Sequence, residues 1–361
     1  MQFNPYIFIP IWVGVMGIFA YSYEKVYTKK LVMGQEIRQI NLFIAFLTFL
    51  PIFITAAFGD MLGDVWAYVS SFHNLEPSFS AIDWEAKGPG FQVLCVLIKM
   101  VFGNNETAFR VIIALIQSIP IVLLFRYYSS NYITTMFLFV ATATYTAWMM
   151  NGLRQYVAAA IVYAATPWLL KKKYVRLILV ILLASTVHNT VLVMLPIIFI
   201  VQGEAWNKKT LLFILGMVVL IFVFSNTGTF DDAAESIGYT TTKELREGGD
   251  TGTSFLRVAV NAVPSVIALI YRKKLNKQNI ILNVFINLSL ITTGLYLVSM
   301  VTSGILVGRV PAYTSMYNLI LLPYLVNNCF EEDNRKIVNV AMIVLYLVYY
   351  YYQMHEVSGL I

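Results

Sequence analysis

The chain has 361 residues, of which 59% are hydrophobic and only 12% are charged. So few charges cannot cover the surface of a water-soluble protein of this size. The net charge of +6 would suit a nucleic-acid binder only if the cations were spread over one surface, and they are instead confined to particular connectors.

The first apolar stretch, 5–23, carries no charge, no n-region and no small-residue cleavage site, and reads as a retained span rather than a signal peptide. Others follow at 39–58, 89–103, 107–125, 131–150, 152–170, 174–187, 189–202, 210–226, 254–271, 279–303, 310–328 and 337–354. Most are long enough to cross roughly 30 Å of hydrocarbon. Within lipid every backbone polar group needs an internal partner, which leaves helices or closed barrels. The expected fold is an all-α polytopic membrane protein of about 12–14 transmembrane helices, forming a single transmembrane domain over 1–361. Segment 89–103 is short and contains Lys99, and is expected to be re-entrant or strongly tilted. Cys95 and Cys329 both lie in apolar segments, and the histidines are far apart, so neither a disulfide framework nor a zinc site is expected.

The connectors fix the orientation. Lys25, Lys29, Lys30 and Arg38 crowd the first, Arg126 marks another, and Lys171, Lys172, Lys173 and Arg176 a third. Lys208 with Lys209, then Arg272, Lys273, Lys274 and Lys277, then Arg335 with Lys336 complete the set. By the positive-inside rule these are cytoplasmic. Crossing parity then works from 171 onward and fails between 38 and 126, which a re-entrant 89–103 repairs more readily than a hidden extra crossing inside 59–88. The opposite face comprises a first large loop, 59–88, the turns at 150–155, 187–190 and 304–311, and a second loop, 227–253.

The polar residues hardest to place in a membrane gather on that outer face. Asp60, Asp64 and Tyr68 recur every four residues, as on one face of a helix leaving the second span. That stripe suits sugar binding or proton transfer, or is an ordinary solvated face. Asn151, Arg154 and Gln155 would share one helical face, with Arg154 about a turn inside the boundary. Its planar fork can hold a phosphate or pyrophosphate bidentately, unless it snorkels to headgroups. His188, between two apolar runs, is a candidate proton carrier or a structural histidine. Arg309, after Gly304 and Gly308 and shortly before Pro311, is either a second anion clamp or the partner of an outer acid. Arg257 is a further outer cation and substrate-binding candidate. Loop 227–253, with Asp231, Asp232, Glu235, Glu244, Glu247 and Asp250, is longer than a simple connection needs, and is expected to be a lid or disordered.

No GxxxxGK[ST] loop, HExxH pair or GxSxG elbow occurs, which disfavours an ATP-driven pump and a serine or zinc hydrolase. Span centres nearly free of charge, without a clear internal repeat, disfavour an ion-coupled transporter.

Asn151-Gly152-Leu153-Arg154-Gln155, continued by Tyr156-Val157-Ala158-Ala159-Ala160, resembles the N-x-x-R-Q-x-x-A signature of EpsG-type membrane proteins, relatives of the Wzy polysaccharide polymerases. Asp64 with Tyr68 matches that family's D-x-x-x-Y, and His188 with Thr190 and Leu192 its H-x-(S/T)-x-L. The resemblance covers about residues 60 to 200. It departs before Pro89-Gly90-Phe91, where members often carry an acid. Here that position is Gly88, and the nearest acid is Glu85.

The resemblance implies a glycosyltransferase of the bacterial plasma membrane. It would join undecaprenyl-pyrophosphate-linked oligosaccharide repeats, as donor and acceptor, on the extracytoplasmic face, to make capsular, exopolysaccharide or O-antigen polymer. Membrane lipid and other polysaccharide assembly proteins are the expected partners, with no nucleic acid, cofactor or metal. Arg154 and Arg309 would clamp the pyrophosphate and His188 or Asp64 would act as base. Asn151, Gln155 and Tyr68 would position the substrate, with Asp60, Glu85 and Arg257 as further substrate-binding candidates. The alternatives are a flippase or exporter of the lipid-linked unit, and a polyprenyl-dependent single-sugar transferase or ligase.

Overall fold

The computed structural model describes residues 3–32, 35–226, 252–275, 279–305 and 307–361. It divides into two compact units, one made of Met1–Leu192 with Phe330–Ile361 and the other of Val193–Cys329. In chain order the first unit contains α1 (Pro5–Ser22), a hairpin of β1 (Tyr27–Val32) and β2 (Gln35–Ile40), α2 (Leu42–Phe58), α3 (Val65–Asn74) and α4 (Pro89–Phe102). It continues with α5 (Glu106–Tyr128), α6 (Tyr132–Ala141), α7 (Thr144–Trp148), α8 (Leu153–Ala164), α9 (Thr166–Leu170) and α10 (Tyr174–Val187). The second unit holds α11 (Met194–Ile200), α12 (Lys208–Asn226), α13 (Phe255–Ile270), α14 (Ile280–Val301) and α15 (Met316–Cys329), and the chain returns to the first as α16 (Glu332–Tyr352).

The protein is an all-α polytopic membrane protein. Among the described residues four helices are long and apolar enough to cross a membrane: Pro5–Ser22, Glu106–Tyr128, Ile280–Val301 and Glu332–Val357. Shorter apolar helices, Leu42–Phe58 and Tyr174–Val187 among them, accompany these. Asparagine opens many of the helices. The side chains of Asn4, Asn41, Asn105, Asn131 and Asn279 accept from first-turn amides of α1, α2, α5, α6 and α14. Such caps satisfy donors that would otherwise be stranded where an apolar helix begins.

Several expected spans are not single helices. Segment 131–150 breaks between α6 and α7, where Ala143 takes a left-handed φ of +54°. Segment 152–170 breaks at Ala165, ahead of Pro167, whose ring cannot continue the helix through its own first turn. Segment 310–328 opens with a 3-10 turn over Val307–Tyr313 that contains Pro311, so α15 starts only at Met316. The first basic connector is an antiparallel hairpin, with Lys29 opposite Arg38. Loop 227–253, with its acids Asp231, Asp232, Glu235, Glu244, Glu247 and Asp250, lies outside the described residues apart from its last two positions.

α2 and α5 run antiparallel side by side. Arg110 donates to the Gly59 carbonyl at one end, and at the other Arg126 Nε donates to the Ile40 carbonyl at 2.8 Å. The second end is the basic one, carrying Lys25, Lys29, Lys30 and Arg38. α3 and α4 fold between the other ends. Fourteen residues give α4 a length of about 21 Å, less than a bilayer core. Gly88, just ahead of it, meets Val187 and Arg154, and Gly90 in its first turn meets Thr186. In its last turn the buried Lys99 ammonium donates to the carbonyls of Phe72, His73 and Leu75 at 2.8, 2.9 and 2.6 Å, closing the C-terminus of α3. The contacts at both ends of α4 are thus with α3, α8 and α10, and none of these is with the basic hairpin. α16 joins this unit through a buried phenol chain, in which the Tyr145 and Tyr350 hydroxyls are 2.7 Å apart and Tyr350 donates to the Tyr6 carbonyl at 2.7 Å.

In the second unit α14 is buried along nearly its whole length. Its polar side chains bond to neighbours within the unit. Asn283 and Asn287 accept from the amides of Ala205 and Trp206 at 3.1 and 3.2 Å, and Ser289 meets Ser265 at 2.7 Å. Apolar contact distinguishes helix from lipid poorly, so such buried hydrogen bonds specify the packing.

Candidate functional site

The site is built around the start of α8, in the first unit. The α7–α8 turn leaves Asn151 just ahead of the helix, capped by Gly152, with Arg154 and Gln155 in its first turn. Asn151 is therefore not on a helical face with the other two, as the spacing implied. The turn is sunk into the bundle. The Leu153 carbonyl accepts from Gln117 Nε2 at 3.0 Å, and Gln117 lies about three turns into α5.

Three other segments converge on these residues. The first is Gly63-Asp64. The Asn151 side-chain oxygen accepts from the Asp64 amide at 3.3 Å. Gly63 has φ +52°, and a Cβ there would come within 2.2 Å of that same oxygen. Asp64 precedes α3 and Tyr68 follows one turn later, its ring edge-on to Phe91 with centroids 5.7 Å apart. Asp64 and Tyr68 keep their shared face. Asp60 does not join them, because α2 ends at Gly59 and the chain turns through Gly63 before α3 begins. Asp60 instead lines a narrow crevice with Arg110, Gln117 and Leu153.

The second segment is Lys87-Gly88. Arg154 Nη1 donates to the Lys87 carbonyl at 2.7 Å, while its Nε is buried without a hydrogen-bond partner. Gly88, at φ +98°, is where the guanidinium passes. A Cβ there would lie 3.3 Å from Nη1 and 2.6 Å from the Val187 carbonyl. Glu85 sits in the turn closed by Asp83, whose carboxylate accepts the Glu85 amide at 3.0 Å, and the Glu85 side chain is exposed.

The third segment is His188–Thr190. His188 closes the C-terminus of α10, its amide donating to the Ala184 carbonyl at 3.0 Å. Its Nδ1 is 2.8 Å from the Thr190 hydroxyl, and Gln155 Nε2 donates to the same hydroxyl at 3.5 Å. Thr190 therefore links His188 to the first turn of α8. Asp64, Asn151, Arg154, Gln155 and His188, taken from three separate stretches of sequence, belong to one neighbourhood.

Arg110 was not among the candidates read from the sequence. Its side chain is only 10% exposed and is 3.7 Å from the Glu106 carboxylate. Its Nε, like that of Arg154, is buried without a hydrogen-bond partner. The available signal was an arginine one turn into a long apolar span, a costly position. Arg257 and Arg309 belong to the second unit. Arg257 is half-buried in the first turn of α13, its amide donating to the Ser254 hydroxyl at 3.4 Å. Arg309 is half-buried in the 3-10 turn after Gly308, where a Cβ would come within 2.6 Å of the Thr253 hydroxyl.

No curated protein and no solved structure matches the chain. A family model does, over residues 40–360, taking in all four of these segments, and on that match the chain belongs to the EpsG family.

Proposed function

We propose that the protein is a glycosyltransferase that polymerises polyprenyl-pyrophosphate-linked oligosaccharide repeats on the extracytoplasmic face of the bacterial plasma membrane. Family membership supports a polysaccharide polymerase of the membrane. The cation-rich connectors at the opposite end of the first unit support the outer placement of the site. The observation that carries the mechanism is Arg154, recessed at the head of α8 with a buried Nε that has no partner in the protein.

In the reaction an acceptor hydroxyl attacks the anomeric carbon of the donor glycan. The new C–O bond forms as the bond to the pyrophosphate oxygen breaks, and the negative charge on the leaving group grows. Arg154 and the positive end of α8 meet that charge. The hydroxyl proton passes to a base, for which His188 is the first candidate. Thr190 orients the imidazole through Nδ1, so proton exchange falls to Nε2. Asp64 is the second candidate, held by the Asn151 contact to its amide. Gln155, Asn151 and Tyr68 position the sugar and phosphate, and Arg309, in the second unit, is the other cation assigned to anion binding.

The test is to delete the gene, complement it with wild type or Arg154→Ala, and size the polysaccharide. Arg154→Ala is expected to insert normally and to leave single lipid-linked repeats, with a rate loss on the order of 10²–10³-fold. Full-length polymer from the variant would overturn the clamp assignment. Repeats trapped in the inner leaflet would make the protein a flippase.

A further inference from the structure

At the basic end of the first unit, far along α1 and α5 from Arg154, the last turns of α1, the β1–β2 hairpin and the α5–α6 turn enclose a cavity of about 520 Å³. We propose that it binds the phosphate headgroup of an anionic phospholipid from the leaflet at that end, with an acyl chain lying along α1.

The floor is made by small residues. Gly17 lets α1 approach α6 so closely that a Cβ there would be 3.1 Å from Ile133 Cγ2, and Ala20 is buried beside it. The walls are polar. The Arg38 guanidinium lies over the Tyr27 ring, 4.4 Å from its centroid, which fixes a long side chain that would otherwise be mobile. Burial holds the Tyr27 phenol above its ordinary pKa, with Arg38 opposing the shift, so at neutral pH the ring is an uncharged donor. Ser130, on the other side, lines the cavity, and its hydroxyl is buried with no hydrogen-bond partner in the protein, so a rotation about χ1 would bring an unmet group to a phosphate oxygen. Asn131 and Thr134, also lining the cavity, open α6, so the positive end of that helix adds to the attraction. The connector from 24 to 40 carries Lys25, Lys29, Lys30 and Arg38 against Glu24 and Glu36, leaving it net positive.

A cavity of this size suits a small molecule or a headgroup. What selects a lipid is the surface leading into it. Ile11, Val15, Ile18 and Tyr21 are 58, 50, 71 and 89% exposed and fall on one face of α1, with Tyr21 at the cavity rim. An uncovered apolar stripe ending at a cationic, hydroxyl-rich pocket matches an acyl chain joined to a phosphate. A soluble phosphate would use the pocket and ignore the stripe.

The experiment is a titration of the purified full chain in neutral detergent with phosphatidylglycerol, phosphatidylcholine of the same chains, or glycerol phosphate, followed by native mass spectrometry. Phosphatidylglycerol is expected to bind in preference to phosphatidylcholine, and glycerol phosphate not to displace it. Arg38→Gln should weaken phosphatidylglycerol roughly five- to tenfold. Lys30→Gln removes the same charge from the opposite face of the hairpin and should change binding less than about twofold. Ser130→Ala keeps the proposal testable if Arg38→Gln fails to fold. It removes an unmet polar atom, so it should leave the lipid-free melting temperature unchanged or higher while weakening the lipid roughly three- to tenfold. Equal losses for Arg38→Gln and Lys30→Gln would reduce the effect to diffuse attraction and overturn the site. So would equal binding of the two lipids, or unaltered binding by Ser130→Ala. Displacement by glycerol phosphate would turn it into a soluble-anion site.

Discussion

Two glycines determine how tightly the candidate site closes. Gly63 and Gly88 both take left-handed backbone conformations, and each stands against a residue of the α8 entrance, Asn151 in one case and Arg154 in the other. A side chain at Gly63 faces two penalties. The left-handed backbone costs about 1–2 kcal/mol for an L-residue. The Cβ would also sit 2.2 Å from the Asn151 side-chain oxygen, so that amide must swing away and release the Asp64 amide. Gly63→Ala is therefore expected to lose about 2–3 kcal/mol of stability, read as a lower melting temperature in detergent, together with a fall in polymer yield. A variant with wild-type melting and wild-type polymer would show that Asn151 does not need its present position. Gly88 explains the missing acid before Pro89. A Cβ there would lie 2.6 Å from the Val187 carbonyl and 3.3 Å from Arg154 Nη1, so that position has no room for a carboxylate side chain in this chain.

At the scale of elements, hydropathy located the apolar segments and charge ordered them, but neither reports a break within a segment. Segments 131–150 and 152–170 each read as one mainly apolar run, and what divides them is a left-handed Ala143 and the ring of Pro167. The every-fourth-residue pattern of Asp60, Asp64 and Tyr68 implied one helix, and Gly59 and Gly63 broke it before the helix could form. The hairpin at 27–40 was hidden because its cations read as a topology signal, while its alternation spans only six residues per strand. The Asp64–Tyr68, Asn151–Gln155 and His188–Thr190 pairs were legible one by one. Their meeting through Gly63, Lys87 and Thr190 was not, since those contacts span up to 87 positions of sequence. Charge parity implied that α4 re-enters, and that expectation has a direct check. In a background with Cys95→Ala and Cys329→Ala, single cysteines at the exposed positions Lys87 and Asn104 flank α4. Both are expected to react with an impermeant thiol reagent from the same side of the membrane, and one at Lys336 from the other. Labelling of Lys87→Cys and Asn104→Cys from opposite sides would make α4 a crossing.

For the whole molecule the question is whether two cations of the first unit serve one leaving group. Arg154 and Arg110 both belong to it, each with a buried Nε that has no hydrogen-bond partner in the protein, and Arg110 shares its crevice with Leu153, the neighbour of Arg154. A pyrophosphate departing from a sugar carries more charge than one guanidinium neutralises, and groups that act together in one transition state lose their effect together. If both arginines stabilise the same leaving group, each single change to alanine removes the shared arrangement. Arg154→Ala and Arg110→Ala would then each slow polymer formation on the order of 10²-fold, and the double variant would be little slower than the worse of the two. If they act at separate points, as when Arg154 holds the donor pyrophosphate and Arg110 pairs with Glu106 for stability, their free energies add, and the double variant falls by about 10⁴-fold. The measurement is the initial rate of chain extension in proteoliposomes supplied with lipid-linked repeats, with melting temperatures recorded alongside. Non-additive rates at unchanged stability are expected. Strictly additive rates would remove Arg110 from the clamp and leave Arg154 to meet the leaving group alone.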